Sequence, residues 1–317
     1  MNESGRHIDN AKVVLECGDL DATLKYFVDE AGFAIQSIYP ADSPRVVELS
    51  GPGIELTLRG GDPAGTSDPG LIVTQINTEG FGAGRAGMQY RDLIPGRVGG
   101  RFIASHIRIP TGGPVPDYVH HHHIRFQFIF CVNGWVRVVY EDQGEPMLMK
   151  AGDCFLQPPH IRHRVLESSD NMEVVELACP AEHETFVDHD MTLPTGKHHP
   201  DRDFGGQTFV FHQADGAVWQ RADVPGLEYR NTGIACATGG VVSVVVVRAT
   251  GECGDVPLTH TADLRFCFLL NGSATLRNGS SVLLGRGDSI AVPPGMDCCL
   301  ADLSPDIEML EVMVPRQ

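Results

Sequence analysis

VHHHHIRFQFIFCVNG, from Val119 to Gly134, and GDCFLQPPHIRH, from Gly152 to His163, decide how this chain is read. On an extended strand, residues i and i+2 share a face. His120 and His122 therefore point the same way, and Gln127 offers an oxygen donor five residues on. His163 supplies a third imidazole from a later strand. Together these are the ligand types of a mononuclear site for Fe(II), Mn(II), Ni(II), Cu(II) or Zn(II). His121 and His123 form an alternative pair in the other register. The spacing to Gln127 and an internal repeat favour His120 and His122.

These spacings resemble the two cupin motifs, G…HxHxxxxE…G and GxxxxxPxGxxH. His120 and His122 match the HxH, and Gly134 closes the first motif. Gly152, Pro158 and His163 match the second. Gln127 stands where the family usually has glutamate, so the implied site carries one negative charge fewer. It binds either with Gln127, directly or through water, or by three histidines alone. His160 replaces the usual glycine and adds a hydrogen-bonding group beside the ligands.

Most of the chain is duplicated. MQYRDLIPGRVGG (Met88 to Gly100) is echoed by LEYRNTGIACATGG (Leu227 to Gly240), and HHHHIRFQF by HTADLRFCF. Asn133-Gly134 matches Asn271-Gly272, Gly152-Asp153 matches Gly287-Asp288, and MEVVELACP matches IEMLEVMVP. The preserved order resembles a bicupin. This alignment sets His120 against His260, Ala262 against the second histidine, Cys267 against Gln127 and Cys298 against His163. The second copy is expected to be degenerate, with side chains filling its pocket. A soft thiolate site of His260, Cys267 and Cys298 is the alternative.

Val13 to Leu58 lies outside the repeat. Its order is βαβββ: a short strand, an N-cap at Asp19 or Asp21, helical spacing through Leu20, Leu24, Phe27 and Val28, then FAIQSIY, RVVELS and IELTLR. The pattern resembles one half of the glyoxalase, or vicinal oxygen chelate, fold. A lone half leaves an open sheet, an association hazard. It is expected to pair with a symmetry mate or with the cupin body, and a homodimer follows from the first option.

The expected fold is mainly β: two tandem cupin β-barrels (double-stranded β-helix, or jelly roll) behind a small α+β unit. Residues 1–60 form the glyoxalase-like half-unit and 61–87 a linker with one candidate strand, GLIVTQIN. Residues 88–190 form the metal-binding cupin, 191–208 a second linker and 209–317 the degenerate cupin.

Composition narrows the partners. Among 317 residues, 24 are basic and 41 acidic, for a net charge of −17. That disfavours nucleic acid and anionic membranes. The N-terminal stretch MNESGRHIDNAK is polar, and no apolar run reaches the length of a membrane span. The nine cysteines have no framework spacing; Cys131, Cys154 and Cys179 read as reduced core residues of a cytoplasmic protein.

The chemistry follows from open coordination positions. A redox metal with two or three of them binds substrate and O₂ side by side, whereas Zn(II) polarises a carbonyl or acidifies water. The IRF/LRF element resembles the matching segment of gentisate-type ring-cleaving bicupins. The leading expectation is a dioxygenase for a small anionic aromatic or β-dicarbonyl-type substrate, with one divalent metal per chain and Fe(II) favoured. Arg125 is the candidate anion partner, because a guanidinium fork suits a carboxylate; a structural ion pair is its alternative role. His160 is the candidate proton shuttle. Arg101, His106 and Arg108 are further candidates for the pocket wall. A non-oxidative cupin (isomerase, lyase, decarboxylase or cyclase) and a non-enzymatic small-molecule-binding bicupin are the other readings.

Overall fold

Asp19 accepts a hydrogen bond from the Ala22 amide at 2.9 Å and so starts the only helix of the N-terminal unit among the described residues, Leu20–Lys25. The helix widens into a π-turn over Tyr26–Glu30 and stops before Gly32, whose φ of +72° suits glycine. Strands Ala34–Tyr39, Val46–Gly51 and Ile54–Arg59 follow, and Lys12–Glu16 closes beside the last in parallel. Leu20, Ile38, Val47, Leu49, Leu56 and Leu58 fill the angle between helix and sheet. This computed structural model describes residues 12–40, 44–51, 53–60, 70–77, 80–83 and 87–316.

The open edge of this unit is covered by the cupin body. Strand Ala34–Tyr39 pairs with Thr185–Val187, which pairs in turn with His120–His122. One ten-stranded sheet thus runs from the N-terminal unit into the first sandwich. Tyr39 Oη and Arg45 both hold the Glu182 carboxylate, each at 2.6 Å, and fix the junction.

Each cupin copy is a sandwich of antiparallel sheets. In the first, a sheet built on Phe126–Asn133, Met172–Cys179 and Ile103–Ile109 faces the ten-stranded sheet. Strand Phe126–Asn133 is buried on both faces, hence its nearly continuous apolar run. Phe126, Phe128 and Phe130 point to the seam between the copies, where they meet Phe266, Phe268, Val244 and Val312. Cys131 points into the first sandwich with Val136, Val138, Phe155 and Val174.

The copies also exchange strands. Ile72–Thr74, within the segment read as a linker, pairs with Ser289–Val292 of the second copy. Val210–His212, read as the start of the second copy, pairs with Cys154–Gln157 of the first. Among the described residues no helix is long and apolar enough to cross a membrane.

Candidate metal centre

His120 and His122 lie on one short strand, so the pleat turns both inward, to 1% and 6% exposure. His163 begins strand His163–Ser168 and pairs directly opposite His120. The three rings offer ligand nitrogens that all lie within 4.8 Å of one another, and all three residues are buried.

Each ring is held from behind. His120 Nδ1 donates to the Tyr118 carbonyl at 2.8 Å, and His163 Nδ1 to the Ile161 carbonyl at 3.0 Å. His122 Nδ1 lies 2.8 Å from Thr185 Oγ1. A carbonyl only accepts, so the proton sits on Nδ1 and the Nε2 lone pair is left for an ion. The Asp117 carboxylate, itself fully buried, lies 3.7 Å from His120 Nδ1. Three neutral imidazoles with their outer nitrogens already committed fit a divalent cation.

The histidines open onto a cavity of about 80 Å³. Its walls are apolar, with Ile107, Ile129, Val136, Val138, Phe155 and Val174 among them. Among the described residues, its polar groups besides the histidines are Tyr90, Tyr140, Gln157 and Glu176, and no Lys or Arg lines it. Gln157 Nε2 donates to Tyr140 Oη at 2.9 Å, and burial raises the phenol's pKa, keeping it protonated.

The other expected site residues do not line the cavity. Gln127 is 1% exposed and its Oε1 has no hydrogen-bond partner among the described residues, but it is not among the cavity-lining residues. Arg125 precedes the strand, its amide bonded to the Cys179 carbonyl, and does not line the cavity. The expected anion partner is therefore absent from the wall. His160 takes a positive φ of 63° on an exposed turn, and its ring lies tilted beside those of His123 and His121, away from the cavity wall. His106 and Arg108 alternate to the seam, while their neighbour Ile107 takes the cavity face.

Glu176 is the residue that the sequence reading missed. It alternates inward with Val174 on Met172–Cys179 and is, among the described residues, the one carboxylate of the cavity wall. Its signal was present: MEVVELACP and IEMLEVMVP both keep a glutamate at this place in an otherwise apolar strand.

The interior of the second copy is packed with side chains, and around the first motif its correspondences shift by two residues from the expected alignment. His160 N bonds to His122 O, and Gly295 N to His260 O, which equates His260 with His122. Gln127 pairs with Gln157 and Ala178 as Arg265 pairs with Val292 and Met313. Arg265, not Cys267, therefore stands in the place of Gln127, Leu258 replaces His120, and the IRF/LRF likeness is out of register. His260 spends Nε2 on the Val292 carbonyl at 2.9 Å. Arg265 pairs with Glu311, the counterpart of Glu176, at 2.6 Å. Burial works against the guanidinium charge, but Glu311 and the thiols of Cys267 and Cys298 beside it prevail and raise its pKa. Burial also drives the Cys267 thiol upward, away from a thiolate ligand. Aliphatic side chains of Leu269, Ile290, Leu300 and Met309 pack the rest.

Residues 105–178 match the family model described as a cupin domain. Curated proteins gave no sequence match. Among solved structures, a mutant of Bacillus subtilis oxalate decarboxylase matches with a TM-score of 0.57 and 11% identity, over 81% of this chain and 80% of that one. A protein from Pseudomonas aeruginosa described as glyoxylate-induced matches with a TM-score of 0.57 and 13% identity, over 81% and 93%. At such identities the likeness speaks for the fold alone. The chain thus contains a cupin domain with one buried three-histidine cluster, within a bicupin fold.

Proposed function

We propose that the chain is a metal-dependent dioxygenase for a small enolisable anion of the β-dicarbonyl type, with His120, His122 and His163 holding one divalent ion, Fe(II) first among the candidates. The carrying observation is the charge balance of the cavity. Three imidazoles cancel none of the ion's charge, Glu176 offsets it by one unit at most, and among the described residues no Lys or Arg lines the wall. The ion is then the cationic partner of an anionic, chelating substrate. An aromatic carboxylate would call for a second cation, and Arg125 does not line that wall. When bound, the ion would supply Lewis acidity and an electron path to O₂. Glu176 is suited to accept the proton lost from the acidic carbon. The apolar wall would keep the carbanion-like anion dry, and a cavity of about 80 Å³ favours a substrate of few heavy atoms.

The test is O₂ uptake after anaerobic Fe(II) loading, with 2,4-pentanedione set against hydroxylated aromatic acids. Uptake with the diketone is expected. One metal per chain with no uptake for any compound overturns the oxygenase. A non-oxidative reading is favoured by one feature, the Glu176 carboxylate facing the same cavity, which can return a proton as well as take one. The fold match to Bacillus subtilis oxalate decarboxylase, a protein with Mn(II) centres, is compatible with it. Metal-dependent CO₂ release or solvent proton exchange without O₂ would support that reading.

A further inference from the structure

We propose that the seam between the two sandwiches carries a binding site for a small neutral nitrogen heterocycle of the imidazole class, in the cleft bordered by Phe130, Trp219, Arg230 and Glu308. The argument comes from the internal two-fold repeat. On one side of the seam the His106 ring is enclosed by four groups. Arg91 Nη2 lies 3.2 Å from Nδ1, and Glu173 Oε2 lies 2.9 Å from Nε2. Phe81 and Phe268 meet the ring edge-on, with centroids at 5.0 and 5.3 Å. The imidazole accepts from a guanidinium with one nitrogen and donates to a carboxylate with the other.

The other side repeats the enclosure without the ring. Arg91 pairs with His106 as Arg230 pairs with Val246, and Glu173 faces Arg108 as Glu308 faces Arg248. The aromatic walls repeat too: Arg108 lies over Phe81 at 4.0 Å and Arg248 over Trp219 at 3.8 Å. Phe130 corresponds to Phe268 by the registers of their strands. Val246 carries no ring, and a cleft of about 390 Å³ is lined by all four counterparts, among them Arg230, the strand partner of Val246. Arg230 is 3% exposed, and its Nε has no hydrogen-bond partner among the described residues. A buried guanidinium nitrogen without a hydrogen bond is costly, and a ligand that supplies an acceptor to the guanidinium offsets part of that cost. A planar ring with one N–H and one bare nitrogen meets Arg230 and Glu308 as His106 meets Arg91 and Glu173, between aromatic faces.

The experiment uses the full chain stripped of metal, so that the probe, imidazole, has no ion to bind. Titration is followed by calorimetry and by Trp219 fluorescence in a Trp135→Phe background. Saturable binding of one equivalent is expected. Val246→His, which installs the ring covalently, should abolish it. Glu308→Met should weaken it by at least about tenfold, the loss of one hydrogen bond to a charged group. His106→Val opens the matching hole and should raise the stoichiometry to two. Absence of saturable binding, or binding unchanged in both Val246→His and Glu308→Met, overturns the site. If Val246→His fails to fold, Glu308→Met and the stoichiometry of His106→Val decide it.

Discussion

Thr185 shows how much rests on one hydroxyl. Its Oγ1 is the hydrogen-bond partner of His122 Nδ1 at 2.8 Å, and without it that ring loses the contact that holds its direction. Thr185→Val should weaken metal binding about 10- to 100-fold with little change in thermal stability, measured by chelator competition. Glu176→Gln makes the opposite separation: metal content should stay at wild-type level while turnover falls by about 100-fold or more, the usual worth of a positioned acid–base group. His106 gives the pH dependence. Burial, chiefly, lowers its pKa below the ordinary 6.5, with Arg91 and Arg108 adding to the effect against Glu173. The folded state holds the ring neutral while the unfolded chain protonates it, so stability is full above 6.5 and is lost as pH falls toward the lowered folded value. His106→Phe should flatten that acid limb, read as urea midpoints at neutral and mildly acidic pH. At this scale the HxH spacing was legible because the pleat of a strand is a local property. The positions of Arg125 and His160 were not, since a bend and a positive-φ turn aim them by contacts far away in sequence.

Among the elements, the strand pair Leu264–Asn271 and Glu308–Val314 explains why the duplicated copy holds a guanidinium in place of a metal site. Arg265 and Glu311 are 13% and 17% exposed, so removing one charge strands the other in a poorly solvated interior. Glu311→Ala should cost about 3 kcal/mol or more, and the double replacement Arg265→Leu, Glu311→Leu should recover most of it, both read from denaturant unfolding. The repeat itself was legible from its glycines and prolines. Its register was not: the Arg-Phe pairs beside both motifs invite an alignment that the strand pairings correct. Counting back from the shared Asn-Gly turn, where no gap intervenes, would have set Arg265 against Gln127 from the outset.

At the scale of the whole molecule, the N-terminal unit is joined to the metal centre. Its edge strand supports Thr185–Val187, which supports His120–His122. Deleting residues 1–60 should therefore weaken metal binding as well as expose a strand edge, and metal content together with solution mass checks both. Coverage of one edge leaves Lys12–Glu16 at the end of the ten-stranded sheet, with Val13 and Val14 exposed. We propose that the expected homodimer, if it forms, uses this edge; Val14→Lys should then return the wild-type dimer mass to that of one chain.

What the sequence by itself determined was periodic and local: alternating strands punctuated by glycine and proline, the βαβββ order, the duplication, and two histidines at strand spacing with a third in the later motif. Those follow from backbone geometry, which each short segment carries within itself. Only the tertiary structure decided which face of each strand looks into which space. It put Glu176 in the cavity and Arg125 outside it, exchanged strands between the copies, filled one pocket with an ion pair and left a cleft at the seam. A side chain's direction is set by its own strand, but its surroundings are set by elements brought together from distant parts of the chain.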